Sequence, residues 1–221
     1  MHTLPTPGPV TTVLDVPAAR IQLIAADRDD TTVRIRPANP AENRDVKAAQ
    51  KTAVAYEDGV LRIQAPAPKY QAFGPSGSIE VTVQLPSGSH LRAKAARAEL
   101  RGVGRLGNVT VEAAQGPVKL DETTNARITL LDGDITIGRL NGPAQISVHK
   151  GGIDIAQAVH GTVELRTGSG DITVSAAPGT SAALNAGTPY GRVRNALRND
   201  GAATLDIHAT TSYGDITARS L

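Results

Sequence analysis

The chain has no cysteine and no tryptophan, and only one phenylalanine and one methionine. The missing cysteine excludes disulfides, thiolate metal sites and cysteine nucleophiles. Aromatic residues make up 2% of the sequence, so any core must be aliphatic rather than built on stacked rings. The lack of tryptophan also weakens a sugar-binding reading, because sugar sites often rest on aromatic platforms. No apolar run approaches the ~18 residues that a membrane-spanning helix needs. A net charge of +2, from 23 basic and 21 acidic side chains, is too small to point to a partner class. No G-x-S-x-G, phosphate-binding loop or dinucleotide fingerprint occurs, so the familiar catalytic signatures are missing as well. The opening Met1-His2-Thr3-Leu4-Pro5 has neither a basic region nor an apolar stretch. The expectation is therefore a protein without a secretory signal, located in the cytoplasm.

What the chain has is glycine, 22 residues of it, placed at intervals. Gly133-Asp134-Ile135-Thr136-Ile137 recurs as Gly170-Asp171-Ile172-Thr173-Val174 and as Gly214-Asp215-Ile216-Thr217-Ala218. Weaker copies start at Gly116, Gly151 and Gly191. Short alternating segments lie between them: Val109–Val111, Ile128–Leu130, Ile146–Val148, Val163–Leu165, Leu184–Ala186 and Leu205–Ala209. Each repeat thus supplies two short strands and two turns, a unit too thin to bury its own apolar face unless it is stacked. The third and fifth motif positions alternate inward and predict an aliphatic ladder. Asn195 and Ala218 break that ladder, which predicts a weakened rung at the C-terminal end.

Residues 1–89 read as an N-terminal strand region that packs on or caps the stack, and 90–221 as about six two-strand rungs. Within the first part, 10–16, 20–24, 32–36 and 79–85 read as separate strands. Residues 42–51 form the one candidate helix, and 66–78 a long loop carrying Tyr70 and Phe73. The fold class is all-β, a β-solenoid or β-helix-like stack.

The motifs resemble a large bacterial family of adhesin-like proteins, common in actinobacteria and auto-transporter-adhesin-like, with repeated G-D-I/V-x-V strands. The resemblance extends to Leu14-Asp15-Val16-Pro17, Val81-Thr82-Val83-Gln84-Leu85-Pro86 and Thr211-Ser212-Tyr213-Gly214-Asp215-Ile216. It implies a β-solenoid-like stack and an interaction role, and it carries no catalytic residues or cofactor.

Candidate surface residues follow from the pattern. Asp134, Asp171 and Asp215 form either an acidic stripe for a hard cation or, on the plainer reading, acceptors for backbone N–H groups at turns. Taken in chain order the column reads Asp171, Arg192, Asp215, alternating in sign as cross-strand pairs prefer. Arg92, Lys94, Arg97, Arg101 and Arg105 form a basic run opposed only by Glu99. As an anion-binding module this run would bind in a salt-dependent way, but it lacks the stacking aromatics of a nucleic-acid surface. Tyr190 and Tyr213 share a register before a motif glycine, which predicts a stacked pair. The leading functional reading is a noncatalytic interaction or scaffold protein with an unidentified protein partner, able to self-associate through open strand edges. The alternative is an enzyme acting on a carbohydrate or other polar small molecule, which requires several of Asp134, Asp154, Asp171, His149, His160 and Arg192 to converge in a cleft.

Overall fold

The computed structural model describes residues 2–65 and 77–221. In chain order the elements are β1 (His2–Pro5), β2 (Thr11–Ala26), β3 (Asp30–Pro37), α1 (Asn43–Lys51), β4 (Ala53–Glu57), β5 (Val60–Gln64), β6 (Ile79–Pro86), β7 (His90–Gln115) and β8 (Val118–Asp132). There follow β9 (Ile135–Leu140), β10 (Ala144–Lys150), β11 (Ile153–Ala158), β12 (Gly161–Ser169), β13 (Ile172–Ala176), β14 (Ala182–Gly187), β15 (Val193–Ala196), β16 (Leu205–Tyr213) and β17 (Ile216–Ser220). The protein is nearly all β, a β-solenoid-like stack with an open sheet.

The chain coils, and each turn crosses a front layer and returns across a back layer. In front, β10 lies in parallel between β8 and β12, with Ala126, Ala144 and Val163 in register. At the back, β11 lies between β9 and β13, with Ile135, Ile153 and Ile172 in register. Strand β7 wraps through more than one turn. It pairs with β2 over Thr11–Ala25 and with β8 from Leu100 onward. The segments read as separate strands at 10–16 and 20–24 are one bent strand, β2, which runs along both layers. Bending without a break continues the ladder with β7 from Thr11 to Ala25, with Pro17 alone left out at the bend.

The inward positions form one aliphatic core. Leu120, Ile135, Ile137, Ile153, Ile155, Ile172 and Val174 from the back layer are buried in the same cluster as Val111, Ile128, Ile146, Val148, Val163 and Leu165 from the front. Each such side chain contributes about 1.5–3 kcal/mol of transfer free energy. The β-branched residues suit the strand backbone, and the layers are close enough that rings are not needed.

The turn from front to back is made by a column of glycines. Gly133, Gly151, Gly170 and Gly214 have φ of 144°, 144°, 150° and 146°. A Cβ on any of them would collide with the carbonyl of the stacked glycine on the neighbouring rung. Threonines three residues earlier tie this corner together. The hydroxyl of Thr167 donates to the Gly151 carbonyl at 2.8 Å, Thr211 to Gly170 at 3.0 Å and Thr188 to Gly214 at 3.1 Å.

One departure from the chain-order expectation changes the C-terminal end. Strands β16 and β17 pair with β12 and β13 on one side and with β14 and β15 on the other. Gly170 N–H donates to the Tyr213 carbonyl, and Gly214 N–H to the Tyr190 carbonyl. The last rung in sequence, 205–220, is therefore the penultimate rung in space, and 182–196 is the outermost. Ala218 is 1% exposed, an interior position, whereas Val193 is 45% exposed.

At the opposite end the pairing turns antiparallel. Strand β1 lies on β3, β3 on β6, and β4 on β5. Helix α1 packs against β3 and β6. Buried Asp45 fixes it there, accepting from Ser78 N–H at 2.8 Å and Asn39 N–H at 3.1 Å. Across the back layer at this end, Arg20 bridges Glu99 at 3.0 Å and Glu80 at 3.2 Å.

Candidate functional site

The motif aspartates stand at the entrance to the back-layer strands, directly after the glycine turn. Each Oδ1 accepts a backbone N–H from the equivalent position on the next rung. Asp134 accepts from Gly152 at 2.8 Å, Asp171 from Asp215 at 2.7 Å and Asp215 from Arg192 at 2.9 Å. These bonds hold adjacent turns in register, as the plainer reading of the motif requires. The expected alternation Asp171, Arg192, Asp215 is corrected by the rung order, since Asp215 lies between the other two. Asp171 and Asp215 are thus one strand spacing apart, about 4.8 Å, rather than two. Their charges are accommodated because each carboxylate receives an N–H from its neighbour. Among the described residues, no group of three or more His, Asp or Glu is placed to hold a metal ion.

An Asp171→Ala variant removes one of these acceptors at a partly solvated corner. It should lower stability by about 1 kcal/mol. Urea titration of the variant beside wild type checks this, and millimolar calcium should leave both midpoints unmoved.

The basic run is distributed around the coil. Arg92 and Lys94 lie on the outer front layer, where β7 pairs with the first half of β2. Arg97 is at the glycine corner and donates to Gln115 Oε1 at 3.1 Å. Arg101 is on the outer back layer, bound to Asp121 at 2.8 Å. Arg105 is exposed at the far corner. A strand that wraps both layers cannot present consecutive basic residues as one patch. Tyr70 and Phe73 lie outside the described residues.

The six groups on which an enzyme reading depends remain apart. His149 is on the exposed front layer, and His160 is in the turn between back and front. Asp134, Asp154, Asp171 and Arg192 follow the outer back layer. The grooves lie elsewhere. One of about 430 Å³ crosses the front layer over Asn108, Asn125, Arg127, Gln145 and Glu164. Another, of about 650 Å³, is more apolar and runs along Pro17, Ala95, Ala96, Ala113 and Leu131. None of the six groups lines either.

The outermost rung is different. Among the described residues, strands β14 and β15 are each paired on one side only, with β16 and β17. All four residues of β15 are exposed, and Tyr190, 66% exposed, stacks on Tyr213 with ring centroids 5.0 Å apart and planes at 6°. That stacked pair was expected from the shared register. Arg192, Arg194 and Arg198 surround the open edge and make no ion pair with the described residues. Nearby Asp200 has its carboxyl held below the usual carboxylate range by the Ser181 side chain and the Ala202 backbone N–H. The weakened rung expected from Asn195 and Ala218 is divided by the structure: Asn195 lies on the exposed outermost rung, whereas Ala218 is buried one rung inward.

Coil, glycine column and stacked core define a β-solenoid-like repeat protein. The chain belongs to the Toastrack DUF4097 family, whose profile matches residues 12–220. Among solved structures it is similar to a putative adhesin from Bacteroides fragilis, at 15% identity and a TM-score of 0.56, covering 98% of this chain and 95% of that one. It also matches a putative cell adhesion protein from Clostridium sporogenes, at 15% identity and a TM-score of 0.41, covering 100% and 98%. No curated protein matches. No helix among the described residues is long and apolar enough to cross a membrane.

Proposed function

We propose that this chain is a noncatalytic, adhesin-like interaction module, and that it engages a protein partner by strand addition at its outermost rung. The observation that carries the reading is the contrast between that rung and the rest of the stack. In the interior, the motif aspartates and corner threonines are engaged in bonds between rungs. At β14 and β15 a row of backbone donors and acceptors has no strand of the described residues beside it, and of that row Ala182 N–H donates to the Arg198 carbonyl in the connection. Such an edge is a template for another strand, and main-chain bonds then supply the affinity. Homotypic pairing of two copies is the other use of the same edge, and sedimentation velocity reads it as a concentration-dependent dimer.

The test compares affinity capture from a whole-cell extract, secreted proteins included, on the immobilised chain and on a Val193→Pro variant. Val193 lies at the exposed edge, where proline removes a donor from the open side. At least one protein should be retained by the wild type and lost by the variant. Identical retention by both chains, or turnover of a glycan panel by the wild type, overturns the reading.

A further inference from the structure

The edge of β15 has a chemistry that selects among partners. Ile216 N–H donates to the Arg192 carbonyl, so Arg192 and Arg194 turn their backbone groups toward β17. By alternation, Val193 and Asn195 turn theirs toward the open side. The Arg192 and Arg194 side chains then share the outer face, one strand repeat apart, and Arg198 follows in the connection to β16.

This arrangement acts against a second copy. A two-fold pairing of β15 with itself must place residues of equal parity opposite one another. Centred on Val193, it sets Arg192 against Arg194. Centred on Arg194, it sets that residue against itself. Centred on Asn195, it sets Arg194 against Ala196 and offers neither arginine a carboxylate. Like charges directly opposite are destabilising in the first two of these registers.

We infer that the open edge of β15 takes an extended acidic segment of another protein, with carboxylates at alternate residues facing Arg192 and Arg194. The carboxylate spacing of such a strand equals that of the arginines, since both backbones repeat every two residues on one face. Main-chain bonds to Val193 and Asn195 fix the strand, and guanidinium–carboxylate pairs choose its sequence. Asp215, the nearest motif carboxylate, already accepts the Arg192 N–H and sits one rung inward. The inference rests on the strand-addition reading and adds the partner's chemistry to it.

The test uses a capped, labelled peptide, Thr-Glu-Val-Glu-Val-Glu-Thr, and fluorescence anisotropy on the full chain. Wild type should bind it, and an R192E/R194E variant should bind about tenfold more weakly or worse. The lysine version of the peptide should show the reverse preference, a swap that misfolding cannot produce. Methylating alternate peptide nitrogens keeps the charge and removes donors, so binding should be lost. Equal binding of the methylated peptide overturns the inference in favour of simple charge attraction. Equal binding by the reversed variant places the peptide elsewhere, and a dimer of the wild-type chain gives the edge to a second copy. If the peptide fails while capture still depends on Val193, strand addition stands and only the acidic partner falls.

Discussion

Replacing Gly170 with alanine should lower the stability of this protein by about 3 kcal/mol, near the upper end of what single substitutions do. Two costs combine. The residue has φ of 150°, which an L side chain rarely adopts. Holding it there costs on the order of 1–3 kcal/mol. In addition, the new methyl would be driven into the Gly151 carbonyl and carbon, both backbone atoms. Backbone cannot rotate away as a side chain can, so relief requires neighbouring rungs to separate. Separation would stretch the bond from Gly151 N–H to Ser169 and that from Gly170 N–H to Tyr213. For a chain of this size the melting temperature should fall by roughly 6–12 °C.

Gly187 is the matched control. It lies at the end of strand β14, where a Cβ meets nothing within 4 Å and its φ is not in the left-handed range. Gly187→Ala should change stability by less than about 0.5 kcal/mol. Urea unfolding of the two variants in parallel measures the contrast. Equal midpoints would mean that the glycine column follows strand composition and not the close approach of stacked turns.

The contrast also explains what could be read from the sequence. A turn that brings backbone against backbone on every rung leaves glycine as the only residue that fits. The column therefore recurs at Gly116, Gly133, Gly151, Gly170 and Gly214 whatever else changes. Inward positions tolerate any mid-sized aliphatic, and Ile, Val and Leu appear there interchangeably. Those two constraints are local, and they exposed the stacked strands and, through the register before each motif glycine, the tyrosine pair. Rung order is a different kind of fact. It depends on which edge a segment meets after it leaves the coil, and an edge accepts any compatible strand. Thr188-Pro189-Tyr190-Gly191 and Thr211-Ser212-Tyr213-Gly214 present the same register signals, so either segment fits beside 161–176. The cue was quantitative: intervals of 17–19 residues between motif glycines lengthen to 21 and 23 around Gly191. The distribution of Arg92 to Arg105 was hidden for a related reason. Alternation assigns inside and outside along a strand, but a strand that bends around a corner changes layer without any change in alternation.

The out-of-order rung leads to the second large prediction, in which two deletions of similar size have opposite consequences. A chain ending at Gly201 loses β16 and β17, and with them buried Leu205, Ile207 and Ile216. Those three side chains alone represent about 4.5–9 kcal/mol of burial, comparable with the whole stability of a typical domain. The outermost rung should go with them, because among the described residues β14 and β15 pair only with β16 and β17. Hydrogen exchange should then show 182–196 exchanging at unfolded rates, and the urea midpoint should fall sharply. Removing 182–203 instead takes away the exposed rung and joins Ser181 to Thr204. Thr204 N–H already donates to the Ser181 carbonyl at 2.9 Å, so the splice needs only a small local shift. Strand β16 would then follow β13 in the chain, and the stack would run in chain order to its end. The apolar surface lost is that of buried Ala182 and partly buried Leu184, Ala186 and Leu197, since Val193, Arg194, Asn195 and Ala196 are exposed in the intact chain. The spliced protein should unfold in one transition within about 2 kcal/mol of wild type. If instead the truncated chain stays folded with 182–196 protected, the outer rung has moved inward to replace the missing one. The two segments would then be interchangeable at the edge of β12 and β13, and the order seen here would be set by the length of the connection rather than by packing.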